Sequence, residues 1–140
     1  MQYQELYQDL FAVNSTYYLA HCIASDFRMG AGIAVEFQRR FQLRDKLKII
    51  NSHAAPGTCI LVGRVFNLIT KMRSSDKPTY ETLTAALQEM QKLIVFYQIQ
   101  QVAMPKIGCG LDHLQWDQVR MIIQSVFVQN DLEILICHKI

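Results

Sequence analysis

Two glycine-bearing segments are where this chain has the means to do chemistry: Arg28-Met29-Gly30-Ala31-Gly32 and Pro105-Lys106-Ile107-Gly108-Cys109-Gly110-Leu111-Asp112. Each follows a strand-like stretch and feeds a helical one. A glycine turn leading into a helix aims backbone N–H groups and the positive helix end at one point, which suits an anion and above all a phosphate. Gly108 and Gly110 also read as plain turn glycines, yet each removes a side chain where a backbone must approach a diphosphate. Valine at either is expected to abolish binding and leave the fold intact. Neither segment carries G-x-x-x-x-G-K-[ST], and the full G-x-G-x-x-G spacing is absent. The ligand is therefore not held as in a P-loop enzyme or a dinucleotide dehydrogenase.

Other reactive side chains give weaker patterns. His21-Cys22 with Cys109 suggests a thiol–imidazole dyad or half a metal site, but no third ligand stands at a helpful spacing. The four cysteines, Cys22, Cys59, Cys109 and Cys137, lie far apart without a C-x-x-C pair and read as reduced, mostly buried thiols. A histidine ending a buried strand reads as a hydrogen-bonded core residue, and His53, His113 and His138 carry no pattern. By spacing alone Lys71 is an ordinary solvent-facing lysine at a strand end. Asp112 and Gln115 form a D-x-x-Q capping box for the helix that carries Trp116.

The elements that must position these residues alternate. Strand-like runs fall at residues 3–7, 17–23, 58–63, 64–69, 101–104 and 132–137, with a tight hairpin at Gly63-Arg64. Helical spacing appears at Ile33, Phe37 and Phe41, at Leu83, Leu87, Met90 and Ile94, and at Trp116, Val119, Ile123 and Val126. A shorter helix is expected over 45–50, with His53-Ala54-Ala55-Pro56-Gly57 as the loop after it. This alternation implies an α/β layered fold with a parallel or mixed sheet, in which ligands collect at the carboxyl ends of the strands.

At 140 residues, 51% apolar and 19% charged, the composition fits one globular domain over residues 1–140. No run approaches the roughly 18 apolar residues of a membrane span, and Met1-Gln2-Tyr3-Gln4-Glu5 is not a signal-peptide start, so a cytoplasmic protein without a membrane partner is expected. A net charge of +2 is too small to argue for nucleic acid. The basic run Arg39-Arg40, Arg44, Lys46, Lys48 reads as a solvated helix face.

Five motifs in order, Leu19-Ala20-His21-Cys22-Ile23, Arg28-Met29-Gly30-Ala31-Gly32-Ile33-Ala34, Leu68-Ile69-Thr70-Lys71, Lys77-Pro78-Thr79-Tyr80-Glu81 and Ile107-Gly108-Cys109-Gly110-Leu111-Asp112, together resemble the macrodomain family. The likeness is to its terminal ADP-ribose protein glycohydrolase branch, also called O-acetyl-ADP-ribose deacetylase, and covers nearly the whole chain. It implies a three-layer α/β/α fold with a mixed central sheet and an ADP-ribose cleft across its top. It also implies Lys71 as nucleophile and Asp112 as acid/base partner. The binding residues it implies are Asp9 and Leu10 at the adenine end, with His21, Met29, Gly30, Ala31, Gly32, Thr70, Pro105, Lys106, Ile107, Gly108, Cys109, Gly110, Leu111 and Lys139. The family's usual glycine before the first aspartate is Gln8 here, and the tail Cys137-His138-Lys139-Ile140 lacks the tyrosine of animal members. The asparagine-rich motif and triple-glycine helix start of the better-known hydrolytic macrodomains are absent.

The resemblance therefore implies removal of ADP-ribose from ester linkages, on acidic protein side chains or in O-acetyl-ADP-ribose, without metal or cofactor. A lysine attacks only as the neutral amine, and Arg73, two residues on, is the neighbouring cation expected to favour that form. Two other functions stay open: a module that binds ADP-ribose without turnover, and an antitoxin-type enzyme acting on ADP-ribosylated DNA bases. Asp112 counts against the last. A monomer is expected.

Overall fold

The computed structural model describes residues 1–50 and 54–139. Its strands are β1 Gln2–Tyr7, β2 Tyr18–Ala24, β3 Thr58–Val62, β4 Val65–Lys71, β5 Gln101–Met104 and β6 Glu133–His138. They form one sheet in the order β1-β6-β5-β2-β4-β3. The pairings from β1 across to β4 are parallel, and β3 runs antiparallel to β4 through the turn at Gly63-Arg64. The sheet is mixed, and every expected strand is present with its ends within two residues of those expected.

The helices are α1 Ile33–Phe41, α2 Leu43–Ile50, α3 Tyr80–Tyr97 and α4 Trp116–Phe127. Alternation along the strands sorts the core into two halves. Leu19, Ile23, Val65 and Ile69 pack with Phe37 of α1, Leu43 and Leu47 of α2 and Leu10. Ala20, Phe66, Leu68 and Val102 pack with Leu83, Leu87, Met90 and Ile94 of α3 and Val119, Ile123 and Phe127 of α4. With both faces covered, the inner strands are mostly apolar, as parallel strands between two helical layers are, with His21, Asn67 and Thr70 the buried polar exceptions. The result is the expected three-layer α/β/α arrangement. Three local readings are corrected: α2 begins at Leu43 rather than at residue 45, Phe127 rather than Val126 fills the last core position of α4, and Ile33, 37% exposed, lies outside the buried core. His53 lies outside the described residues.

One partly buried carboxylate fastens the outer strands to α4. Glu5 accepts hydrogen bonds from Arg120 at 2.6 Å, His138 at 2.7 Å, Tyr3 at 2.7 Å and the Trp116 indole at 3.3 Å. The Arg120 bond, foremost among them, holds the Glu5 pKa down at about 2 against the opposing effect of burial. Among the described residues no helix is long and apolar enough to cross a membrane.

Candidate functional site

The parallel arrangement brings the carboxyl ends of β1, β2, β4, β5 and β6 to one edge of the sheet, and a cleft of about 1230 Å³ lies over that edge. This exceeds the ~300–1,000 Å³ usual for drug-sized ligands and suits an extended one. The chain contributes Asp9 and Leu10 after β1, residues 28–34 after β2, Lys71 at the end of β4, residues 105–112 after β5, and Lys139 after β6. Of the expected binding residues, Asp9, Leu10, Met29, Gly30, Ala31, Gly32, Pro105, Lys106, Ile107, Gly108, Cys109, Gly110, Leu111 and Lys139 all line it.

His21 and Thr70 do not. Both are buried beneath the cleft, with 0% and 1% of their surface exposed. The His21 ring stacks on Phe37 at 3.9 Å, and its Nε2 lies 2.6 Å from Asn67 Oδ1. Asn67 already donates its amide hydrogens to the Ile60 and Val65 carbonyls, so its oxygen accepts and His21 carries its proton on Nε2. Burial lowers the His21 pKa to about 4, outweighing the Asn67 bond, which acts the other way. His21 is thus a neutral core residue. Its side chain also points to the opposite face of β2 from Cys22, so no thiol–imidazole dyad forms.

Lys71 and Asp112 come together although 41 residues separate them: Lys71 Nζ donates to Asp112 Oδ1 at 2.6 Å. Their side chains are 13% and 17% exposed, shielded from most water yet open to the cleft. The pairing of β2 with β4 shifts register here, from Ile23 opposite Ile69 to Ala24 opposite Lys71, leaving Thr70 out of the ladder. Such a bulge redirects the side chain that follows it. The Lys71 carbonyl is meanwhile held by the Ser25 N–H at 2.8 Å. The expected capping box at Asp112 does not form. Gln115 caps α4 without a side-chain bond, and its own N–H donates to the Tyr80 hydroxyl, which leaves the Asp112 carboxylate to Lys71. Arg73, expected beside Lys71, is exposed and outside the cleft lining. The other cations that line it are Arg28, Arg40, Lys77, Lys106 and Lys139, against the carboxylates Asp9, Glu36 and Asp112, so the balance favours an anion.

The first glycine loop is rigidly built. Phe27 and Met29 hold left-handed backbone, φ 55° and 49°, because both side chains are buried and the Arg44 guanidinium grips the carbonyls of Phe27 and Arg28. Arg44 is therefore a loop clamp rather than part of a solvated face, while Arg39 and Arg40 pair with Glu36. Gly32 begins α1 with no side-chain cap, so the first amides of the helix, at Ile33 and Ala34, open on the cleft. In the second loop Gly108 has φ 71°, and a Cβ there would stand 3.0 Å from Leu114 Cδ1. Valine at Gly108 would strain the fold, contrary to expectation. At Gly110 an added Cβ meets nothing within 4 Å. The loops face each other, since a Cβ on Gly32 would lie 3.5 Å from Leu111 Cδ1.

Cys22 and Cys109 line the cleft as free thiols. Burial pushes both pKa values up, that of Cys109 to about 11, which leaves them weak nucleophiles. Among the described residues no three His, Cys, Asp or Glu side chains gather closely enough to hold a metal ion. Sequence reasoning overlooked Arg40, whose guanidinium lies 4.5 Å from the Phe11 ring centroid at the cleft margin. Its spacing, one turn after the buried Phe37, was the available signal. Ser74 and Lys77, also in the lining, lay within or beside a recognised motif without a role.

The Macro domain family model matches residues 12–123. The ADP-ribose glycohydrolases OARD1 of Homo sapiens and of Bos taurus are each 42% identical to this chain over 132 residues, covering 91% of it and 86% of each relative. The macrodomain of Mycobacterium tuberculosis DarG shares the fold, with a TM-score of 0.86 over 97% of both chains at 23% identity. The cleft over the carboxyl edge of a mixed sheet thus lies in a chain whose sequence matches that model from the first turn after β1 into α4, and the chain belongs to the Macro domain family.

Proposed function

We propose that this chain binds ADP-ribose in the cleft and hydrolyses its ester linkages, on acidic protein side chains or in O-acetyl-ADP-ribose, with Lys71 as nucleophile and Asp112 as acid/base. The 42%-identical relatives named ADP-ribose glycohydrolase support hydrolysis. The observation that carries the mechanism is the Lys71–Asp112 contact, set in the same cleft as the uncapped start of α1 and its surplus of cations. Amides at a helix start suit a diphosphate. A ribose held between the two glycine loops then presents its anomeric carbon to the lysine.

For attack, the Lys71 ammonium gives a proton to Asp112, the acceptor already at 2.6 Å. In the ester of an acidic side chain, the free amine forms a bond to the anomeric carbon, and the carbon–oxygen bond to the substrate carboxylate breaks with its electron pair leaving on that carboxylate. Asp112 releases the proton it took to solvent. Water then attacks the same carbon, Asp112 takes its proton and hands it to the departing lysine nitrogen, and the Lys71 ammonium is restored. The test is incubation with glutamate-linked, serine-linked and base-linked ADP-ribose, reading free ADP-ribose. Release from the glutamate ester is expected. Binding without release would make the chain a reader, and release from the base alone would overturn the ester assignment. The lysine route calls for no metal, so EDTA is expected to leave turnover unchanged.

A further inference from the structure

Residues 72–79 connect β4, which ends at Lys71, to α3, and they touch both glycine loops. Near one end Ser74 donates its N–H and its hydroxyl to the two oxygens of Asp26, at 2.8 and 2.9 Å, and Asp26 also accepts from the Arg28 amide at 3.0 Å. Near the other end Lys77 Nζ donates to the Leu111 carbonyl at 2.9 Å. The segment between is braced by Arg73 and Asp76: Asp76 Oδ2 accepts from the Arg73 amide and the Asp76 amide donates to the Arg73 carbonyl. Its exit is pinned by the buried Pro78 and by Thr82, whose hydroxyl returns to the Thr70 carbonyl at 2.8 Å.

We propose that Lys77 is a positioning residue: its bond to the Leu111 carbonyl sets the next residue, Asp112, against Lys71, while the Ser74–Asp26 contact moors the same segment to the first glycine loop. The inference rests on the hydrolase reading. The geometry supports it because Leu111 is 61% exposed and contributes little packing to its own loop. Two turn bonds, from the His113 N–H to the Gly110 carbonyl and from the Leu114 N–H to the Gly108 carbonyl, close the loop on itself, and the Lys77 bond ties the Leu111 carbonyl to the segment that follows Lys71. An exposed ammonium–carbonyl bond adds little to global stability. A misplacement of about 1 Å in a catalytic group, in contrast, costs up to about a hundredfold in rate.

Lys77 also lines the cleft, so direct contact with the ligand's phosphates is the competing role, and the two separate in kinetics. Lys77→Met is expected to lower kcat for a glutamate-linked substrate by about tenfold while the ADP-ribose Kd moves less than about twofold, and Lys77→Arg, which keeps a donor, is expected to restore kcat to within about threefold of wild type. A rise in Kd and KM with kcat retained would make Lys77 a phosphate ligand and overturn the proposal. An unchanged kcat, or an arginine variant as slow as the methionine one, would overturn it too. A second measurement does not depend on turnover: brief acetylation by acetic anhydride, mapped by peptide mass spectrometry. Lys71 labelling should rise in Lys77→Met relative to the distant exposed Lys92, and fall back in Lys77→Arg. Unchanged labelling would sink the positioning role even in an active enzyme, whereas a wild-type protein that cleaves no ester but shows the labelling change would sink the hydrolase reading alone.

Discussion

The 2.6 Å contact between Lys71 and Asp112 meets two opposed demands: it holds the ammonium in place, and it must release a neutral amine when substrate arrives. A carboxylate in contact satisfies both by accepting the proton. This gives the two residues different phenotypes. Lys71→Ala is expected to abolish ester cleavage while ADP-ribose affinity by calorimetry stays within about threefold, because the loops that bind are untouched. Asp112→Ala removes both the acceptor of the Lys71 proton and the base for water. Solvent can take the first proton before substrate binds, but the water that displaces the lysine has no such substitute. Adduct breakdown should therefore slow more than formation, and the protein should gain the mass of one ADP-ribosyl unit at Lys71. The double variant should gain none. An Asp112→Ala protein of full activity would reduce the carboxylate to a tether. Neither role was legible in local sequence. A lysine ending a strand looks solvent-facing, and Asp112 three residues before Gln115 looks like a helix cap; only the ordered motifs pointed to the pair. What brings it together is the pairing of β4 and β5 on either side of β2, which sets the end of β4 and the loop after β5 at one edge of the sheet and which no window along the sequence contains.

At the scale of elements, the two glycine loops differ in what their glycines do. Gly108 needs its glycine for the fold, with positive φ and Leu114 against its missing side chain, whereas Gly110 has open space where a side chain would go. Gly110→Val is therefore expected to weaken ADP-ribose binding by about a hundredfold with little change in Tm, since the branched side chain intrudes on the cleft alone. Gly108→Val should lower stability by about 1–3 kcal/mol before binding is considered. Wild-type affinity in Gly110→Val would remove that loop from the ligand's surroundings. The loops themselves were readable because glycine before helical spacing has few other uses, and the helices were readable from their apolar stripes. The clamps were not. Arg44, Asp26 and Ser74 look like surface polar residues in sequence, and their partners are backbone groups or residues tens of positions away. His21 was misplaced for a related reason: Cys22, Ile23 and Ala24 at the end of β2 reach the cleft, whereas His21 sits one residue further back and stacks on Phe37 in the core.

Over the whole molecule, periodicity supplied the alternation of strands and helices and hence the layers, but not the order β1-β6-β5-β2-β4-β3, which depends on non-local pairing. That order makes β2 and β4 neighbours inside the sheet and places His21 and Asn67 opposite each other between two helical layers. Burying an imidazole there has a consequence for stability. The folded His21 pKa of about 4 lies below the ~6.5 of an unfolded histidine, so between these values the unfolded chain holds a proton that the folded one does not. Stability then falls as pH drops through this window, by roughly 3 kcal/mol for this group over the full range. Glu5 acts with the same sign at lower pH, between about 4.5 and about 2, so the two can be told apart. His21→Gln keeps a donor for Asn67 but does not titrate. It should lose about 1 kcal/mol at pH 7 through poorer stacking on Phe37, yet show a shallower loss than wild type from pH 6.5 to pH 4 in urea titrations. Parallel pH curves for the two proteins would mean that His21 is reached by protons without unfolding, and that the core around Asn67 is not as closed as the geometry has it.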